Sequence, residues 1–507
     1  MTNIETSLTP IQKFYSGCSV FVTGGTGFLG TILIEKLLRS CSDLSTIYVL
    51  ARNKKGKNLQ SRIDELFDQS IFDRLKEEFP KFRHKVVAIG GDCGLPDLGI
   101  SLQDRQMLIN EVSIIFHAAA TVRFDEKLKT AIAINVRGPQ EILKMAHEMP
   151  HLKSFIHVST AYSNVLNNTI DECFYPSPVD AKKLILLGET MSESVLDNLT
   201  PTILDKWPNT YTYTKCVAED VVRQDGSDLP LGLFRPSIVV STYQEPNEAW
   251  INNLYGPTGV CAGAGVGILR ALHANSSVSA NIVPVDMCVN SMIAMAWDVA
   301  VHYDAAKQNN IKYEIPVCHY ESSNDQPINW GRFMMLSASY GMSSPSVKAV
   351  WYYCFRLYTH YPVYLLAILF LHYLPAILVD GALLCMGKSP KMLRVYKKIH
   401  KFSNVISYFS TKSWTFNSNW LNEMIQRMDK KDRKIFFCSL KKLDWNLFFK
   451  SYLLGIRIYL LQDPEETLKE ARMKWKKLYW LHQVVKLLIA YLMIRLLWWI
   501  LSALFFN

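Results

Sequence analysis

No two of the 11 cysteines in this 507-residue chain are spaced C-x-x-C, and their number is odd. That argues against a disulfide framework and against a zinc site, so no metal is expected and a reducing compartment is the simplest setting. The opening residues, "MTNIETSLTPIQKFYSG", lack the apolar run of a secretory signal. The sequons at Asn167, Asn198 and Asn275 are then expected to stay unmodified. Evenly spread charge is missing too. The formal charge of +10, from 55 basic and 45 acidic residues, gathers after Lys388 in stretches such as "MDKKDRKIFFCSLKKLDW" and "KEARMKWKKLYW". Basic residues interleaved with Trp, Phe and Tyr beside apolar runs fit an anionic membrane surface and not nucleic acid.

Glycine is sparse, 24 residues in all, yet four fall within seven positions of "VFVTGGTGFLG". Such a cluster between a β-branched run and "FLGTILIEKLL" indicates a backbone that turns tightly or approaches something closely. Gly24, Gly27 and Gly30 form the G-x-x-G-x-x-G variant of the dinucleotide fingerprint, where a strand meets a helix N-terminus suited to a pyrophosphate. Thr26, Phe28 and Leu29 lie between them and complete the expected cofactor-binding turn.

Strands "TIYVLAR", "KVVAIGGD", "SIIFHAAA" and "LKSFIHVST" then alternate with amphipathic segments such as "LKTAIAINVRGPQEILKMAHEM". Short apolar runs separated by helices predict a doubly wound α/β domain with a parallel sheet, the Rossmann arrangement. An NAD-binding unit would carry an acidic residue at the end of its second strand, where this chain reads "VLARNKKGK". Arg52, supported by Lys54 and Lys55, suits a 2′-phosphate and favours NADPH. Asp92, ending the third strand, is placed either to accept from the adenine amino group or to cap the next turn.

In "NTYTYTK", Tyr211 and Lys215 stand four apart, on one face of a helix, whereas Tyr213 faces elsewhere. An adjacent ammonium is expected to lower the phenol's pKa and make it a better proton donor to a developing alkoxide. Upstream, "HVSTAYSN" ends a strand with hydroxyls at Ser159 and Thr160, at the sheet edge where such folds bind ligands.

With these residues in view, the chain resembles the extended short-chain dehydrogenase/reductase superfamily, and "FRPSIV" and "VPVDMCVN" look like its later landmarks. More narrowly, "FHAAATVRFDEKL", "FIHVSTAYSN", "YPSPVDAKKL", "NTYTYTK" and "NNLYGPTGV" resemble the alcohol-forming fatty acyl-CoA reductases over nearly the whole chain. The resemblance implies reduction of a long-chain fatty acyl-CoA to a primary alcohol with two NADPH, through a bound aldehyde. It assigns catalysis to Thr160, Tyr211 and Lys215, with Ser159 the alternative hydroxyl if the register shifts by one residue, and Lys215 also holding the nicotinamide ribose. Asn135 would steady a proton-relay water, His117 lies near the expected cofactor, and Arg123 would meet an acyl-CoA phosphate. A homodimer is the family-level expectation. A sterol-type dehydrogenase would share the catalytic residues but lack the domain after Ser389, and a non-catalytic nucleotide-binding scaffold would not need all three.

Two apolar segments remain. "LYTHYPVYLLAILFLHYLPAILV" has no charge and could span a bilayer, but Pro362, Pro375 and two histidines leave an interfacial hairpin or an acyl-tunnel wall open. "LLIAYLMIRLLWWILSALFF", broken only by Arg495, follows basic residues and resembles a C-terminal anchor with its flank on the cytosolic side. The expected organisation is a Rossmann reductase domain over 1–345, a membrane-associated segment over 346–390, a mainly helical domain over 391–478 and an anchor over 479–507. An intracellular membrane is the expected location, the endoplasmic reticulum first and the peroxisomal membrane as alternative. The region from Trp250 to Arg270 is expected to line the substrate pocket.

Overall fold

The apolar runs read from the sequence become one parallel sheet of seven strands in a computed structural model that describes residues 8–52 and 58–505. They are β1 (Ser19–Thr23), β2 (Ile47–Ala51), β3 (Val86–Gly90), β4 (Val112–His117), β5 (Ser154–Val158), β6 (Leu231–Pro236) and β7 (Val317–Tyr320). Their order is β7-β6-β5-β4-β1-β2-β3, and every pairing is parallel. Strands β1, β4, β5 and β6 are buried end to end, the consequence of continuous apolar sequence covered on both faces. The strand order reverses between β1 and β4, which opens a crevice at their C-terminal ends.

Helices α1 (Phe28–Ser40), α2 (Thr210–Asp225) and α3 (Val285–Gln308) cover this sheet. The helix expected over "LKTAIAINVRGPQEILKMAHEM" is present but interrupted by a π-helical turn at Ala133–Arg137. Sequence reading missed the helix Pro10–Tyr15, fixed by a capping box between Thr9 and Gln12. Leu59–Phe67 forms a further helix, N-capped by Asn58.

The chain gathers into two compact units that are interleaved in sequence, unlike the consecutive segments expected. The first holds residues up to Glu248, Ser279–Asn329 and Lys412–Asp444. The last of these pieces returns because its aromatic and charged side chains find partners there. Trp414 Nε1 donates to the Val165 carbonyl at 3.0 Å, Thr415–Phe416 pairs with Thr169–Ile170, and the Arg427 guanidinium forks onto Asp298 of α3 at 2.8 Å.

The second unit comprises Ala249–Val278, Trp330–Thr411 and the residues from Trp445 onward. It is mainly helical, with α4 (Tyr361–Cys385), α5 (Met392–Thr411) and α6 (Leu468–Phe505) beside a short parallel pairing of Ala271–His273 with Arg356–Tyr358. By length and composition α4 and α6 are long and apolar enough to cross a membrane. A π-helical turn at Leu369–Tyr373 precedes Pro375, so α4 continues through the proline. Helix α6 runs unbroken through the expected boundary at 478/479. Its first turns dock on Tyr352, whose ring lies 4.9 Å from Trp475 and 5.1 Å from Tyr479.

The glycine turn after β1 depends on missing side chains. A Cβ at Gly30 would lie 2.3 Å from the Gly24 carbonyl oxygen and 2.6 Å from the Gly25 Cα, backbone atoms with nowhere to move. Gly30→Ala is therefore expected to lower unfolding stability by about 1–3 kcal/mol, the range for overpacking, in urea titrations.

Candidate functional site

The turn between β1 and α1 has the shape that a dinucleotide requires. Gly24 sits at φ 72°, and a Cβ there would meet the Ala119 nitrogen at 2.7 Å, so the cradle closes against the end of β4 only with glycine. Gly27 is the N-cap of α1 and makes no side-chain cap hydrogen bond, and a helix N-terminus of this kind suits an anion. Phe28 and Leu29 are half-buried on that turn, Thr26 is half-buried before it, and Gly27 is exposed. These residues fit a nicotinamide dinucleotide's pyrophosphate.

Arg52, at the end of β2, is 65% exposed, and its Nη1 lies 3.9 Å from Asp92 Oδ2 beyond β3. The two residues expected to recognise the adenosine end are thus neighbours. Asp92 also caps the following turn, since its Oδ1 accepts from the Gly94 N–H at 2.9 Å. Lys54 and Lys55 lie outside the described residues.

Thr160, Tyr211 and Lys215 are brought together beyond the C-terminal end of β5. The Thr160 hydroxyl faces the Tyr211 phenol, and Lys215 donates from Nζ to the Val158 carbonyl at 2.7 Å. Asn209 starts α2 by accepting from the Thr212 N–H at 2.9 Å, which sets the helical phase of Tyr211 and Lys215. The Phe124 ring stacks on Tyr211 at 5.6 Å. Tyr213 points the other way and packs edge-on against Trp207.

The electrostatics correct one expectation. Burial pushes the Tyr211 phenol up to about 12, opposed by the Thr160 hydroxyl, so Lys215 does not depress it. The reason is geometric, for the ammonium is engaged with Val158. Burial in turn brings Lys215 down to about 8, with Glu219 opposing. At neutral pH the phenol is protonated and the ammonium largely charged, the states a proton donor and a ribose-holding cation need.

Beneath these residues lies a buried network that sequence reading missed. Glu219 follows Lys215 by one helical turn and pairs with Arg235 of β6 at 2.6 Å, both almost free of solvent exposure. Arg235 also donates to the carbonyls of Asp171 and Cys173, at 3.0 and 2.9 Å, and lies 3.1 Å from His319 Nε2 on β7. Ser159 gives its hydroxyl to Glu219 at 2.5 Å, and Asn164 adds a bond at 3.2 Å. Ser159 is therefore committed to this network and Thr160 faces Tyr211. The available signal was the i, i+4 relation of Lys215 and Glu219 together with Arg235 in "FRPSIV"; nothing in the sequence marked His319.

Asn135 lies in the π-helical turn, where its amide accepts from the Thr121 N–H at 2.9 Å and donates to the Thr121 carbonyl and Thr214 Oγ1. It joins the loop after β4 to α2. His117 is buried against Thr23, Nδ1 to Oγ1 2.7 Å, and burial with the Lys215 charge takes it down to about 3. It stays neutral, in keeping with a strand-end structural histidine. Arg123 is exposed and 3.5 Å from Asp125. In the second unit, Cys261, Ala264 and Gly265 help line a small apolar recess with Met334, Tyr353 and Leu453.

Residues 22–292 match a family model described as male sterility protein, and residues 371–463 match a second model of the same description. The chain is 42% identical to the Drosophila melanogaster fatty acyl-CoA reductase wat, over 94% of this chain and 90% of that protein. It is 37% identical to human fatty acyl-CoA reductase 1, over 93% and 90%. Among solved structures, the terminal R domain of the myxalamid biosynthetic pathway has the same fold, with a TM-score of 0.59, 19% identity and coverage of 89% and 93%. The reductase domain of a Mycobacterium tuberculosis nonribosomal peptide synthetase has a TM-score of 0.55 at 17% identity, covering 86% and 92%.

The Glu219–Arg235 pair has a direct stability consequence. Burial raises the Glu219 carboxyl, but the Arg235 charge and the hydrogen bonds from Arg235 and Ser159 outweigh it and hold the group below its usual range. Its contribution is thus complete above the unfolded glutamate pKa of about 4.3 and is lost as pH falls through the lower folded value. Arg235→Met strands a buried carboxylate and is expected to cost about 3–5 kcal/mol at pH 7 in urea unfolding. The deficit should shrink as the solution is acidified, because protonation relieves the unpaired charge.

Proposed function

The chain belongs to the fatty acyl-CoA reductases, and from that premise we propose that it reduces a long-chain fatty acyl-CoA to a primary alcohol and free CoA at the expense of two NADPH. The observation that carries the reading is the juxtaposition of Thr160 and Tyr211, with Lys215 one turn along α2, at the sheet edge beside a turn shaped for a dinucleotide. When bound, NADPH supplies hydride for each of the two reductions.

Tyr211, neutral in its buried setting, donates its proton to the carbonyl oxygen as negative charge develops there, and Thr160 steadies the phenol and the same oxygen. Lys215 holds the nicotinamide ribose. The first reduction gives a hemithioacetal, which loses CoA to leave an aldehyde. A second pass through Tyr211 yields the alcohol, so the aldehyde stays bound while the cofactor exchanges. Arg52 at the end of β2, where an acidic residue would favour NAD, supports NADPH.

The apolar helix α6 and its basic flank support attachment to an intracellular membrane, the endoplasmic reticulum first, with the catalytic unit in the cytosol. The peroxisomal membrane is the alternative and a homodimer the expected assembly. A membrane suits a substrate and a product that both partition into lipid.

The reading is tested with membranes carrying the protein, NADPH and acyl-CoAs of several lengths, with the lipid products identified by mass spectrometry. Fatty alcohol at two NADPH per CoA is the expected product. Tyr211→Phe should lower the rate on the order of 10²–10⁴-fold while NADPH still binds; NADPH binding without acyl-dependent oxidation in the unaltered protein overturns the proposal. Arg52→Ala should weaken NADPH far more than NADH, and equal weakening removes the cofactor argument. NADPH affinity should fall as pH rises through about 8, where Lys215 loses its proton, and Lys215→Met should abolish that inflection.

A further inference from the structure

Helix α4 is apolar over a length of about 37 Å, more than the ~30 Å of a bilayer's hydrocarbon core, and by composition alone it reads as a span. Its packing within the second unit says otherwise. Every fourth residue, Tyr364, Ile368, His372, Ala376 and Asp380, is buried against the unit. His372 Nε2 accepts from the Arg270 N–H at 2.9 Å near the middle, and Asp380 accepts from the N–H groups of Lys391, Met392 and Leu393 at 2.8–2.9 Å near the end.

Helix α5 returns antiparallel along the same length. Its His400 ring lies 5.1 Å from His372 and 4.9 Å from Tyr373, and Ser403, about one turn further along α5, is buried as well. Both ends of the hairpin meet at His273, which lies 3.2 Å from the Thr359 carbonyl through Nε2 and accepts from Ser410 at 2.9 Å through its own carbonyl.

That register decides the orientation. Arg394, Lys397, Lys398 and Lys401 are exposed along α5. If α4 crossed a bilayer, α5 would cross beside it and carry those four cations into hydrocarbon, together with the Arg270–His273 backbone that the pair holds. The outward face of α4 is meanwhile continuous and apolar. Leu366, Phe370, Leu374, Ile377 and Leu378 are each between 45% and 65% exposed. An apolar stripe with a parallel row of cations matches the interface of an anionic membrane, where hydrocarbon begins just below the phosphates.

We propose that α4 and α5 form a hairpin lying in the plane of the membrane, with the outer face of α4 in the acyl region and the α5 cations against anionic headgroups. This is a second lipid contact, distinct from α6 and independent of the chemistry at Tyr211.

The test uses the full chain in sealed vesicles of phosphatidylcholine and phosphatidylserine. Cys173 in the first unit and Cys385 at the turn of the hairpin are both exposed, so a membrane-impermeant maleimide with peptide mapping reports each without any substitution. The in-plane arrangement predicts that, wherever Cys173 is labelled from outside, Cys385 is labelled within twofold of it. Protection of Cys385 by tenfold or more until the vesicles are permeabilised would show a spanning hairpin and overturn the proposal.

A fluorophore at Phe370→Cys should be quenched at least twofold by lipids brominated on their acyl chains; no quenching, from a face turned to water or to protein, also overturns it. Lys397→Glu/Lys398→Glu/Lys401→Glu should remove at least half of that quenching in phosphatidylserine vesicles. An unchanged value would refute the headgroup contact.

Discussion

The first unit of this protein is organised around a carboxylate and a guanidinium that share almost no solvent. Glu219 and Arg235 tie α2 to β6, the Arg235 fork fastens the loop at Asp171 and Cys173, and the leftover carboxylate capacity holds Ser159 and Asn164. Burial of two charges is unfavourable in itself, and such a pair persists where the surrounding donors and acceptors complete it. Here they do, and the result is directional. With Ser159 drawn downward, the next residue along the strand end presents its hydroxyl to Tyr211. The phase of a single buried salt bridge thus selects which of two adjacent hydroxyls faces the phenol.

Much of this was legible from the chain. Continuous apolar runs read as buried parallel strands, and the glycine spacing at Gly24, Gly27 and Gly30 identified a turn that tolerates no Cβ at its two tightest points. Tyr211 and Lys215 were placed correctly on one helix face because i, i+4 geometry is local. What was not legible depends on contacts distant in sequence. The pKa direction of Tyr211 is one case, since it is governed by burial of the phenol and by which carbonyl accepts the hydrogen bond from Lys215. The Asn135 amide is another, consumed by Thr121 and Thr214, residues that no periodicity connects to it.

The interleaving of the two units has the same origin. Residues 412–444 carry basic and aromatic side chains that looked continuous with the helical region around them. Their partners, Val165, Asp298 and the Thr169–Ile170 edge, all belong to the first unit. Composition shifts mark where a chain changes character, but a compact unit is defined by what packs on what, and a chain can leave a unit and return to it.

Helix α6 has no glycine or proline between Leu468 and Phe505, and its first turns are clamped by Trp351 and Tyr352 through His482, Trp475 and Tyr479. An anchor joined through a flexible linker would let its cargo tumble above the bilayer. With its apolar end in a bilayer, as proposed, a helix continuous from a docked base would instead be a strut: it would fix the height and tilt of the second unit over the lipid surface, so that unit's encounters with lipid-dissolved molecules would become a two-dimensional search at constant orientation.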